Sequence, residues 1–238
     1  MTQSRSGTGA AGSSAAVRLR RANAERLLVL APLRLEAIAL RTSGVRALRA
    51  GIGAARAQVA AARALAVDAD AVAVVGVCAG VAPTLAAGDV VVASELRRED
   101  GSVVVLADPA PLVAALERRG LCVHVGPLVS VDRLADVDER RLLVPSGALA
   151  VDMESAWLAA GADGRPLAVV RVVADAAGRS LLDPRMLLAG TRALLHLRRV
   201  APALVEWAGE DPEPAELERE LVALLPQSRD ASRQTGAL

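Results

Sequence analysis

Phenylalanine and tyrosine are absent from this 238-residue chain, and tryptophan occurs only at Trp157 and Trp207. A core built from such a sequence packs on aliphatic side chains, and any pocket in it is expected to be aliphatic. Lysine is missing as well, so the basic charge is all arginine. The net charge is +1, which excludes a whole-molecule field that would steer the protein to nucleic acid or to a membrane surface. The densest basic cluster, Arg18, Arg20 and Arg21, reads as part of a solvated leader. The two cysteines, Cys78 and Cys122, lie too far apart in sequence for a metal-binding pair. They are expected to be buried thiols in a reduced, cytoplasmic protein. No apolar run reaches the roughly 18 uncharged residues of a membrane span, and no uninterrupted apolar stretch marks a signal peptide. The sequence also lacks H-E-x-x-H and Walker motifs, and none of Ser94, Ser130 or Ser155 has a G-x-S-x-G context. Those absences argue against a zinc protease, a P-loop enzyme and a serine hydrolase.

What is present reads as one α/β domain. The chain is 53% hydrophobic and 23% charged, a folding rather than a disordered composition. Residues 1–26 are expected to be a flexible leader, 27–208 the domain, and 209–238 a charged tail. Short apolar runs alternate with helix-forming stretches. Strands are expected at 27–31, 45–50, 71–75, 89–94, 121–131, 147–151 and 166–174, with a hairpin across Gly101 within 89–107. Helices are expected at 54–66, 109–119, 153–160 and 184–205, with partial helix at 132–143 and a loop entering a short helix at 33–40. Near-continuous apolar strands imply a sheet covered on both faces, hence a three-layer α/β/α fold with a central mixed β-sheet.

Several stretches carry candidate chemistry. Gly51-Ile-Gly-Ala-Ala-Arg56 imitates a dinucleotide fingerprint, with Asp68 or Asp70 downstream, but Arg56 stands where the third glycine belongs. A tight turn feeding a helix explains it as well. Gly76-Val-Cys-Ala-Gly80 places small residues at a strand's C-terminal end, where α/β sheets admit ligands; close packing is the alternative. Asp152 and Glu154 flank Met153 at a strand-to-helix junction. Acids there can simply favour a helix start, yet a carboxylate can also accept both hydroxyls of a ribose. Asp175 ends the next apolar strand, either as a helix cap or as a catalytic acid. Glu36 follows the first strand, and an isolated loop acid is ordinarily solvated. His124 reads as a satisfied core histidine, and His196 has no visible partner.

Taken in order, four stretches resemble the nucleoside phosphorylase/nucleosidase superfamily. They are Gly51-Ile-Gly53, Gly76 through Val92, Val151-Asp-Met-Glu-Ser155, and Val170-Arg-Val-Val-Ala-Asp175. The D-M-E-S and R-V-V-A-D forms are most similar to the hopanoid-associated nucleosidases. The resemblance implies an N-glycosidase that releases adenine from a nucleoside, adenosylhopane among the possible substrates. Methylthioadenosine/S-adenosylhomocysteine nucleosidase, purine nucleoside phosphorylase and a weakly active nucleoside-binding protein are the alternatives. It implies Glu154 on the ribose hydroxyls, Met153 against the sugar, Asp175 as the general acid and Glu36 as the acid that activates water. Arg171 would support the Asp175 loop, Ala79 and Gly80 would line ribose and base, and Leu134 would lie where relatives stack an aromatic. No metal or cofactor is implied, nor nucleic acid or membrane insertion, and a homodimer is expected. Two departures stand out. Ala174 replaces the serine that many relatives carry before the acid, and the phosphorylases' Gly-Asp-Pro-x-Arg loop is missing near Pro32. Arg34 could bind an anion there, but Glu36 would oppose it, so water is favoured as nucleophile.

Overall fold

The structure, a computed structural model, describes residues 21–41, 44–175 and 186–209. Most of the expected leader and nearly all of the expected tail lie outside the described residues. Residues 21–26, assigned to the leader from sequence, are helical, and Ala24 packs into the core.

Among the described residues eight strands carry the fold: β1 (Leu27–Ala31), β2 (Arg46–Arg49), β3 (Ala71–Gly80), β4 (Val90–Arg98), β5 (Val103–Val105), β6 (Val123–Ser130), β7 (Ala150–Asp152) and β8 (Leu167–Asp175). The helices are α1 (Arg34–Arg41), α2 (Ala54–Leu65), α3 (Ala110–Glu117), α4 (Val137–Leu143), α5 (Ser155–Leu158) and α6 (Met186–Trp207). Alternation along the strands explains the layers, because successive side chains point to opposite faces. Leu27, Val29 and Ala31 of β1, with Ala71, Ala73 and Val75 of β3, enter one apolar cluster beneath α1, α3 and α6. Leu28 and Leu30, with Val72 and Val74, enter the other, beneath α2 and α5. Both faces are therefore covered, as the uninterrupted apolar runs require.

β1 pairs in parallel with β2 and β3, and β3 with β8. β8 runs antiparallel to β4, β4 parallel to β6, and β6 parallel to β7. The last two residues of β3, Ala79 and Gly80, pair antiparallel with Val151 and Ala150 of β7. The circuit β3-β8-β4-β6-β7 thus closes on β3. Periodicity alone carries no information about that closure. β5 completes the expected hairpin, with Glu95 opposite Val105. β3 is longer than its apolar run indicated: the strand continues through Gly76-Val-Cys-Ala-Gly80 rather than ending at Val75.

Closure puts Ala79 between two partners, Val151 on one side and Asp175 on the other. Between Cys78 and Ala79 the β3–β8 register slips, so that Val173 faces Cys78 and Asp175 faces Ala79. Ala174 is the extra residue. A bulge of this kind re-aims the side chain beside it, and here that side chain is Asp175.

Candidate active site

Glu36 sits in the first turn of α1 and is only 1% exposed. It is no solvated loop acid. Its Oε2 accepts the Leu33 amide at 2.7 Å and its Oε1 accepts the Val77 amide at 2.8 Å, which ties α1 to the middle of β3. Gly76 makes this approach possible. A Cβ there would collide with Arg171 Nη1 and lie 2.9 Å from Glu36 Oε1.

Arg171, from the centre of β8, is fully buried in the same place. Its Nε donates to Ser155 Oγ at 3.0 Å. Its Nη2 is 2.6 Å from Asp152 Oδ2 and 3.9 Å from Glu154 Oε2. The Asp152 contact is an ion pair without hydrogen-bond alignment, and Nη1 meets no acceptor among the described residues. Asp152 does more than favour a helix start. Its Oδ1 accepts from Ser130 Oγ at 2.6 Å and lies 3.3 and 3.2 Å from the Glu154 and Ser155 amides. Ser130 Oγ also accepts the Ala156 amide, closing a network beneath the start of α5.

Glu154 is 5% exposed, and its Oε1 accepts the Gly53 amide at 2.9 Å. Gly53 has φ +88°, a backbone conformation that glycine adopts without strain. The turn that imitates a dinucleotide fingerprint is, in this fold, an anchor for Glu154.

One buried cation thus serves three carboxylates, with consequences for the two glutamates. Burial pushes Glu36 above the ordinary glutamate value; Arg171 and the two backbone amides pull the other way without cancelling it. Burial raises Glu154 too, against Arg171 and with Asp152 adding to the rise. For Arg171 burial opposes the charge, but Asp152, Glu154 and Glu36 together hold it above its ordinary value.

Asp175 has a different environment. Its Oδ2 lies 3.0 Å from Arg140 Nη1, and both side chains are 2% exposed. Arg140 comes from α4, whose start is fixed by a capping box: Asp136 accepts the Asp138 and Glu139 amides, and Glu139 accepts the Asp136 amide. Arg140 Nε also bonds the Asp136 carbonyl at 3.3 Å. The sequence reading missed Arg140. The signal was the Asp-x-x-Glu box in Asp136-Val-Asp-Glu139, which sets the rotation of α4 and turns Arg140 inward. Arg171, expected to support the Asp175 loop, has its described partners on the Glu154 side instead.

Met153 and Ala79 pack against a small apolar cluster of Val81, Val129, Val131, Ala135, Ala148 and Val151, adjoining both carboxylate groups. Gly80 is buried beside them. Leu134 is 57% exposed, and no described contact places it against the acids. A surface depression beside β2, lined by Leu28, Arg41 and Val45 among others, includes none of these residues.

Comparison with known proteins agrees with this fold. No curated protein sequence matches the chain significantly. Solved structures do match. They include the 5′-methylthioadenosine/S-adenosylhomocysteine nucleosidase of Helicobacter pylori, at TM-score 0.64 and 16% identity, covering 78% of this chain and 97% of that one. Futalosine hydrolase of the same organism gives TM-score 0.66 at 16% identity, covering 76% and 98%. A nucleosidase assigned the same 5′-methylthioadenosine/S-adenosylhomocysteine activity in Borrelia burgdorferi, bound to adenine, gives 0.67 at 16% identity, covering 76% and 99%. At such identities the likeness establishes the fold. The model of the phosphorylase superfamily matches residues 34–201, well over half of the sequence, and the chain belongs to that superfamily.

Proposed function

We propose that the protein is a nucleosidase that hydrolyses the N-glycosidic bond of an adenine nucleoside. The observation that carries the reading is the delivery of three buried carboxylates, Glu36, Glu154 and Asp175, from α1, the β7–α5 junction and the end of β8. Structural neighbours that are nucleosidases, one of them holding adenine, support the substrate class.

The chemistry divides among the acids. Breaking the bond from ribose C1′ to purine N9 leaves positive charge on the sugar and negative charge on the base. Ionised Glu154, held by Gly53, faces the ribose hydroxyls and stabilises the sugar cation. Met153 supplies the apolar floor for the sugar. Glu36 accepts a proton from the attacking water, whose oxygen bonds to C1′. Arg171 Nη1, beside Glu36 and without a described acceptor, is placed to hold that water or a sugar hydroxyl. Asp175 donates a proton to the departing base. Negative charge growing on the base competes for Arg140 and favours the protonated carboxyl.

Water is favoured over phosphate as nucleophile. Arg34, the nearest residue of α1 that could hold an anion, is exposed, whereas the acid Glu36 points inward. For the 5′ group we propose an apolar substituent, as in adenosylhopane. The similarity of Asp152-Met-Glu-Ser155 and Arg171-Val-Val-Ala-Asp175 to hopanoid-associated nucleosidases and the aliphatic lining around Met153 support it.

The test is to incubate the purified protein with adenosine, methylthioadenosine and an adenosine bearing an apolar 5′ chain, with and without phosphate. Adenine and a free sugar without phosphate are expected. A ribose 1-phosphate product would assign a phosphorylase, and binding with no turnover of any substrate would assign a binding protein.

A further inference from the structure

Outside the carboxylate site, three residues with unlike donor atoms converge at the start of β4 and β6. Asp89 lies just before β4, Cys122 just before β6, and His124 is the second residue of β6. One ligand atom from each lies within 4.8 Å of the others. His124 Nε2 is 3.1 Å from Asp89 Oδ2 and 3.6 Å from Cys122 Sγ. Sequence separation hid the group, and two expectations are corrected by it. Cys122 is exposed rather than buried, and His124 is a half-buried residue with polar partners rather than a core histidine.

We propose that Asp89, Cys122 and His124 form a binding site for one divalent transition-metal ion of the zinc type, with a fourth position open to water. An ordinary hydrogen bond between His124 and Asp89 explains one pair. The thiol reaches both His124 Nε2 and the Asp89 carboxylate, so the three donors face one point rather than forming separate pairs. A tetrahedral ion fits that convergence. Bond lengths of about 2.0–2.3 Å to nitrogen, oxygen and sulfur separate the donor atoms by roughly 3.3–3.7 Å, close to both measured spacings. The donor set selects the metal: thiolate and imidazole suit zinc, cobalt, nickel or copper, and disfavour magnesium and calcium. The exposed thiol provides the entry path.

The backbone holding these donors is already fixed. Val90 N donates to the Cys122 carbonyl at 2.8 Å, and the β4–β6 register places His124 opposite Val91. Gly88 N donates to the Val173 carbonyl at 2.7 Å, and Val173 N donates to the Asp89 carbonyl at 2.8 Å. His196 Nδ1 on α6 lies 2.6 Å from the Gly88 carbonyl. That contact also gives the second histidine a partner, which the sequence did not show. A bound ion would therefore staple β4 to β6 at a point where Asp89 is also bonded to β8, two residues before Asp175. The role is structural and does not depend on the proposed reaction.

The test uses the full chain, stripped with a chelator under reducing conditions and titrated with Zn2+ by calorimetry and with Co2+ by absorption. One equivalent per chain is expected, with a thiolate-to-cobalt charge-transfer band, a rise in melting temperature with zinc, and no saturable binding of Mg2+. Cys122→Ser and His124→Ala should each weaken zinc binding at least tenfold, and Cys122→Ser should abolish the band. Cys78→Ser should keep both. Absence of saturable zinc binding in the wild-type chain, or binding unchanged in the Cys122 and His124 variants, would overturn the proposal. Nucleosidase activity is a separate readout, so failure of either reading leaves the other standing.

Discussion

Two buried carboxylate clusters lie on either side of Ala79, and they solve the same electrostatic problem differently. On the Glu154 side one guanidinium, Arg171, is shared among Glu36, Asp152 and Glu154, so negative groups outnumber positive ones. On the Asp175 side the carboxylate lies 3.0 Å from a second guanidinium, that of Arg140. The first arrangement leaves two glutamates above their ordinary value, easier to protonate and more basic once ionised. The second gives its carboxylate a guanidinium from a different element, α4. A site that must stabilise a sugar cation on one side and a departing base on the other has use for that asymmetry.

The largest effect is expected on the Asp175 side. Asp175→Asn should lower turnover by about 10²–10⁴-fold, the usual worth of general acid help, while a nucleoside still binds. Single-turnover adenine release alongside equilibrium binding measures both, and turnover at the wild-type rate would remove Asp175 from the mechanism. Next is Arg140→Met, which removes the buried cation beside Asp175 and should cost about 3–5 kcal/mol in urea unfolding. Removing the cation should also lower kcat/KM. An unchanged kcat/KM with intact stability would show that the pair is incidental.

The pH behaviour of the other cluster sharpens the comparison. In the proposed mechanism Glu36 is a base and works only when ionised, so kcat/KM should fall on acidification at a pH above that of an exposed glutamate. Arg171→Met should push that limb higher still, because the cation that opposes the rise is gone. Stability carries the same signature with a definite sign. A glutamate whose folded value is raised binds more protons folded than unfolded between its ordinary and raised values. Its contribution is therefore fully present below the ordinary value and is lost as pH rises through the raised one. Urea midpoints measured from pH 4 upward should show this loss, and Glu36→Ala or Glu154→Ala should flatten it. The smallest effect is expected for Ser130→Ala. It removes one bond to Asp152 and one from the Ala156 amide, at about 1–3 kcal/mol, with Arg171 still paired.

Much of the fold was legible in the residues. The apolar runs at Leu27–Ala31 and Leu167–Asp175 declared buried strands because both faces of the sheet are covered. Pro109 and Gly120 bracketed α3, and Gly101 marked the hairpin. The motif at Asp152-Met-Glu-Ser155 and the family resemblance identified Glu154, Met153 and Asp175 as candidates. Glu36 was nominated as well, but its burial was not visible in a sequence where it looks like a loop acid. Arg140 was missed because it stands among seven charged residues from Asp132 to Arg141, and charge alone does not say which one turns inward.

By itself, then, the order of residues determined the covered mixed sheet and the acids worth suspecting, because periodicity and turn chemistry are local properties of the chain. Only the tertiary structure decided the partners. The Ala174 bulge aims Asp175, the closure of β3 on β7 brings Val151 and Asp175 to either side of Ala79, and the capping box rotates Arg140 toward it. Gly76 lets Glu36 and Arg171 meet, and the β4–β6 register brings Asp89 to Cys122 and His124. Each of these contacts joins distant segments, and an ångström-scale fit between them is set by packing and strand register, which no local pattern encodes.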